Sequence, residues 1–190
     1  MNTTTNKIKI FASGPQYLLP NITEHLKWQS DVCATHGFVL NHPADKDVDF
    51  TQSPEAIADV IYKNNIEFLR GCDIAIADCN PWRGVLMDDG AAYELGFCNA
   101  LGKPTYGYIG EMDSLTQRTI DFFALKPDEN GAYVDSHGFT VGDDFGTTIN
   151  LMMQNGMTEQ GGRLVAGNFE SAVEALRRDI DTGVLVMPLQ

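Results

Sequence analysis

The sequence predicts an α/β protein: a doubly wound parallel sheet with flanking helices. Short apolar runs at residues 7–12, 38–40, 72–77 and 105–109 alternate with longer stretches of helical periodicity. Strands joined through helices lie parallel, and the helices cover both faces of the sheet. The run 72–77 is apolar except for Asp73 near its start, the pattern of a central strand buried on both sides.

Each element has its own signal. Residues 7–12 alternate and then turn apolar, and Ser13, Gly14 and Pro15 close that strand with a turn. A helix is expected over about 21–35, stopped by Gly37, with a short strand at 38–40. Residues 41–51 are polar and contain Pro43, which predicts a loop. Ser53, Pro54 and Glu55 form a helix start, with a capping hydroxyl, a proline in the first turn and an acid near the positive end of the dipole. That helix should reach about Arg70. After the central strand comes a loop from Asp78 to Gly84, then a helix over about 89–101, closed by Gly102, Lys103 and Pro104. Beyond Glu111 the pattern weakens. Asn130 and Gly131 predict a hairpin turn near short strands at 132–134 and 139–141. A helix is expected at 143–154, a glycine-rich surface loop at 156–167, and an amphipathic helix at 169–180. No repeat or linker divides the 190 residues, so one domain is expected, preceded by a disordered tail at 1–6.

The net charge of −13 disfavours nucleic-acid backbones and anionic membranes, while leaving neutral small molecules open. Cys33, Cys72, Cys79 and Cys98 show no C-x-x-C spacing and read as buried thiols in a reducing compartment. The four histidines are scattered, so no metal site is expected. The polar start and the lack of a long apolar stretch make a cytoplasmic location the expectation.

The residue that carries most chemistry is Glu94. It lies in the segment from Gly90 to Leu101, which is otherwise apolar apart from Asn99. A helix with no polar face is buried on most sides, and an ionised carboxylate there is costly unless paired. Glu94 is therefore either a functional acid in a pocket or an exposed acid near a helix N-terminus. Of Asp88 and Asp89, one should cap the helix and the other face the pocket with Glu94. Asp78 ends the central strand, where such sheets contact ligands; alternatively it pairs with Arg83 or caps the loop. The turn at Ser13 to Pro15 is no Walker or G-x-G-x-x-G loop, and serves equally as a phosphate turn or a tight turn approached by substrate.

With these residues in view, the stretch from Cys72 to Gly84 followed by Asp88 to Gly96 resembles the signature of the nucleoside 2-deoxyribosyltransferase family. That signature is an apolar strand ending in alanine and aspartate, a proline–aromatic–arginine–glycine loop, and Asp-x-Gly-(Thr or Ala)-Ala-x-Glu-x-Gly. The likeness extends to residues 7–15 and to 145–152, the latter similar to the family's Asn-Leu-Met segment.

The resemblance implies a flavodoxin-like or Rossmann-like sheet and a set of roles. Glu94 falls on the family nucleophile and Asp88 on an acid that contacts the base, the candidate proton donor. Asn65 would touch sugar or base. Asn150 falls on an asparagine that reaches the sugar 5'-hydroxyl in a neighbouring subunit's site, which implies a homo-oligomer with shared sites. Phe11, Gly14, Asp78, Trp82, Arg83 and Met152 would complete the substrate-binding set. The substrates implied are deoxynucleosides and free nucleobases, with no cofactor. This chain departs from the common pattern at Asn80, Trp82 and Ala91, which leaves base preference open. Two other functions stand beside the transferase: an N-glycohydrolase on the same scaffold, and a non-catalytic nucleotide-binding module.

Overall fold

A computed structural model describes residues 7–42, 46, 48–141 and 145–187. The expected tail at 1–6, and the start of the helix expected at 143, lie outside the described residues. The sheet has five parallel strands in the order β2-β1-β3-β4-β5. These are β1 (Lys9–Ser13), β2 (Val39–Asn41), β3 (Ile74–Asp78), β4 (Thr105–Ile109) and β5 (Leu164–Ala166). This is the flavodoxin-like order, with its switch point between β1 and β3. The chain leaves β1 outward to β2 and then crosses back to β3, and the carboxyl ends of β1 and β3 are where sheets of this order bind ligands.

The helices are α1 (Ile22–Thr35), α2 (Pro54–Gly71), α3 (Asp89–Ala100), α4 (Leu115–Phe123), α5 (Leu151–Glu159) and α6 (Phe169–Asp181). No described helix is long and apolar enough to cross a membrane. Strand alternation divides the core into two layers. Ile10, Ala12, Ile74, Ile76, Tyr106 and Tyr108 pack on Val32 and Cys33 of α1 and on Phe169, Val173 and Leu176 of α6. On the other face Phe11 and Ala75 meet Leu69, Cys72 and Cys98, while Ala77 meets Ala91, Leu95 and Met157. All four cysteines are buried and unbridged.

Several helix signals act as expected. The Ser53 hydroxyl accepts from the Ala56 amide with Pro54 in the first turn, and Gly37 and Gly102 take the left-handed conformation just past α1 and α3. The second half of the chain corrects three expectations. Helix α4 was not expected; Ser114 caps it by accepting from the Gln117 amide. Helix α5 begins at Leu151, capped by Asn150, rather than at 143. The segment 156–167 is not one surface loop. It completes α5, turns at Gly161 and Gly162, and supplies edge strand β5, which pairs with β4. The hairpin signal resolves into two successive turns, with isolated bridges pairing Pro127 with Tyr133 and Val134 with Thr140.

Candidate active site

The site assembles at the carboxyl ends of β1 and β3, against the face that carries α2 and α3. Ser13 lies two residues beyond Phe11, so both side chains point to that face. Along α3, Ala91, Leu95 and Cys98 are buried, and Glu94 shares their stripe at helical spacing. Its carboxylate is thereby turned toward the sheet and meets the end of β1.

Two neutral donors hold it. The Ser13 hydroxyl donates to Glu94 Oε2 at 2.5 Å, and Asn65 Nδ2 of α2 donates to Oε1 at 3.2 Å. Burial pushes the Glu94 carboxyl up to about 7, the Asp88 charge adds to the rise, and the Ser13 and Asn65 bonds oppose it. Burial disfavours the charged form, while donors that bind it favour it. No cation neutralises this carboxylate among its described partners, and it titrates near neutrality.

Asp88 combines the two roles that had been divided between it and Asp89. Its Oδ2 accepts from the Ala91 amide at 2.9 Å as the α3 N-cap, and its charge reaches Glu94. Asp89 is exposed and accepts from the Gly90 amide. Helix α3 is less buried than its composition suggests. Only one stripe lies on the core, and Tyr93 and Leu101 are about half exposed on the other side.

Asp78 ends β3, and its Oδ1 accepts from the Asn80 amide at 2.9 Å and from Asn80 Nδ2 at 2.7 Å. It thus caps its own loop and does not pair with Arg83. Tyr108 of β4 lies near it; burial and then the Asp78 charge raise the Tyr108 hydroxyl. Gly14 is what lets the first turn lie this close. At φ 144°, a Cβ there would stand 2.7 Å from Asp78 Cβ and 2.6 Å from Gln16 Oε1.

The other expected residues divide. Asn65 is in place, and its Oδ1 is buried with no hydrogen-bond partner. Phe11 is fully buried between Leu69, Cys72 and Cys98 and presents no surface to a ligand in this conformation, because strand alternation aims it into the core. Trp82 and Arg83 stack on each other, with the guanidinium 4.9 Å from the ring, and their described contacts do not reach Glu94. Asn150 caps α5 through Oδ1, which accepts from the Met152 amide at 3.0 Å. It lines a separate apolar cavity of about 190 Å³ with Leu86, Met87, Asp89, Ala92 and Met153, and Met152 beside it is largely exposed. Sequence reasoning left Ser13 out of the substrate and catalytic set, although a hydroxyl on the last residue of a buried strand was a legible signal.

Fold and site together define a flavodoxin-like α/β domain that presents a part-buried, donor-held carboxylate at its switch point. The model of the nucleoside 2-deoxyribosyltransferase family matches residues 10–152, and the chain belongs to that family. Membership indicates deoxyribosyltransferase-type activity on nucleosides. Among solved structures the chain is similar to a 2-desoxiribosyltransferase from Leishmania mexicana, at 22% identity and TM-score 0.65, covering 91% of this chain and 99% of that one. It is also similar to a conserved protein from Enterococcus faecalis, at 16% identity and TM-score 0.57, covering 93% and 99%. A CMP N-glycosidase of Clostridium botulinum aligns at 11% identity and TM-score 0.48, covering 88% and 97%. The first two likenesses establish the fold. A sequence search of curated proteins found no match.

Proposed function

We propose that the protein transfers 2-deoxyribose from a 2'-deoxynucleoside to a free purine or pyrimidine base, through a glycosyl ester on Glu94 and with retention of configuration. The observation that carries this is Glu94 itself: a part-buried carboxylate at the switch point, bound by hydroxyl and amide donors instead of a cation.

Cleavage of the N-glycosidic bond builds positive charge on the anomeric carbon. A carboxylate at about 3 Å stabilises that charge and then bonds to it. One Glu94 oxygen forms the bond to the anomeric carbon as the carbon–nitrogen bond breaks and its electron pair goes to the base. The departing base takes the one proton that the Glu94–Asp88 pair shares: with Glu94 ionised for attack, that proton sits on Asp88 Oδ1, because Oδ2 is committed to the helix cap. An incoming base then attacks the same face, the ester pair returns to Glu94, and the proton from the new base returns to Asp88. Two inversions give retention. The buried, unpartnered Asn65 Oδ1 suits a hydrogen bond from a sugar hydroxyl. Asn150 serves a second copy's site, so the working form is a homo-oligomer; Asn150 and Met152, exposed beside the apolar cavity, support that reading.

The test incubates a deoxynucleoside with the protein, with and without a second free base. Exchange that needs the second base, lost in Glu94→Ala with an unchanged fold, is the expected result. Release of deoxyribose regardless of added base would make the protein a hydrolase. Binding with no turnover, and no labelling of Glu94 by a 2-fluoro-2-deoxynucleoside, would make it a binding module.

A further inference from the structure

The two oxygens of Glu94 are not equivalent. Oε2 takes a hydroxyl hydrogen bond at 2.5 Å from Ser13, whereas Oε1 takes only the longer amide bond of 3.2 Å from Asn65. Ser13 is 1% exposed and sits at the end of β1 in register with Ala77 of β3. Its Cα is therefore fixed by the sheet, and a buried hydroxyl on a fixed backbone can keep its partner through a reaction. Asn65 stands on α2, its bond is longer, and its other amide atom is still unpartnered.

We infer that Ser13 is a positioning residue that anchors Oε2 and so assigns Oε1 as the oxygen that bonds to the anomeric carbon. This rests on Glu94 being the nucleophile. When Oε1 closes on the sugar, Oε2 becomes the ester carbonyl oxygen and the Ser13 hydroxyl remains on it. When the incoming base nitrogen takes the anomeric carbon, the Oε1–carbon pair returns to the carboxylate, and the same hydroxyl binds the restored charge. Ser13 thus acts in both halves: it keeps the free carboxylate ionised, and it makes the carboxylate a better leaving group from the ester. The same donor slightly weakens Glu94 as a nucleophile. That cost is smaller than the gain wherever the working pH lies near the carboxyl's own titration.

The experiment compares wild type, Ser13→Ala and Ser13→Thr by two readouts. The first is the titration of the Glu94 carboxyl in the free protein, followed by carbon NMR of labelled glutamate and assigned by the signal missing in Glu94→Gln. The second is the pH profile of kcat/KM for base exchange, with intact-mass measurement of glycosyl-enzyme. Ser13→Ala is expected to move the Glu94 titration and the acid limb upward by about one pH unit. It should also slow exchange by about tenfold or more below that limb and raise the steady-state glycosyl-enzyme fraction. Ser13→Thr, which retains the hydroxyl, is expected to restore the titration. Coincident titrations and profiles in wild type and Ser13→Ala would overturn the role of Ser13. A wild type that titrates as described but performs no exchange would instead overturn the proposed function, leaving the Ser13 bond itself intact.

Discussion

Glu94 is costly to the fold in the ionised state that the proposed transfer needs. Its carboxyl is raised to about 7, chiefly by burial, against 4.5 for an unperturbed glutamate. A folded-state value above the unfolded one means the native protein binds the proton more tightly. The associated stability is therefore complete below about pH 4.5 and is lost as pH rises through about 7. The difference corresponds to at most about 3 kcal/mol, reduced because the group is only part-buried. Glu94→Gln should accordingly raise stability at pH 8, by about 1–3 kcal/mol in urea unfolding, with little gain at pH 4.5. The amide fits because Ser13 still donates to the oxygen, and a turned Asn65 offers its unpartnered Oδ1 to the new nitrogen. A destabilised variant at pH 8 would show that the charge, once held by Ser13 and Asn65, costs nothing. For the proposed transfer the same titration sets an acid limb: the nucleophile must be ionised, so rate climbs as pH rises toward and past 7.

At the scale of elements, the β4–β5 edge is held by a polar network. Asp179 of α6 is 6% exposed. It accepts from Tyr106 at 2.8 Å and, bidentately, from Arg163 Nε and Nη2 at 2.9 Å each. Removing the acceptor strands a fully buried phenol, while the half-exposed Arg163 can turn to water. Asp179→Ala should therefore cost about 2–4 kcal/mol in urea unfolding with an unchanged slope, and Tyr106→Phe clearly less. A loss below about 0.5 kcal/mol for Asp179→Ala would mean the network is replaced by solvent. This edge is also where the sequence was least legible. Strand β5 is three residues long, too short for a period to register, and only pairing with β4 makes it a strand. Gly156 and Gly162 signalled a loop because glycine is read as a breaker, yet both permit close packing. A Cβ at Gly156 would meet Asn99 Nδ2 at 2.3 Å, and one at Gly162 would meet the Thr105 carbonyl oxygen at 1.8 Å. By contrast β1, β3, α2 and α3 were legible, because their caps and apolar runs are local. The helix that carries Glu94 was therefore readable from sequence. The Ser13 partner depends on strand register, which no local signal encodes.

At the scale of the whole molecule, the question is what covers the apolar surface that one chain leaves open. Tyr62 on α2 and Tyr93 on α3 are each 54% exposed, and Met152 is 74% exposed next to Asn150. Single exposed apolar side chains are unremarkable, but large ones on neighbouring elements are the kind of surface a second copy would cover under the proposed sharing of sites. Asn150 belongs to the cavity beside Met87 and Ala92, while Glu94 lies on the stripe of α3 that faces the sheet. If Asn150 completes the site of a second copy, each site needs one intact chain for the carboxylate and another for the asparagine. Asn150→Ala alone should raise KM for the deoxynucleoside, and Glu94→Gln alone should be inactive. A mixed oligomer would then contain sites built from the intact Glu94 of one parent and the intact Asn150 of the other. Co-refolding the two variants at equal amounts is expected to restore part of the wild-type kcat/KM, with about a quarter of the sites intact under random pairing in a dimer. Light scattering on the same samples should give a mass above that of one chain. Activity no greater than that of Asn150→Ala alone, in an oligomer confirmed to be mixed, would place Asn150 in its own chain's site or in none.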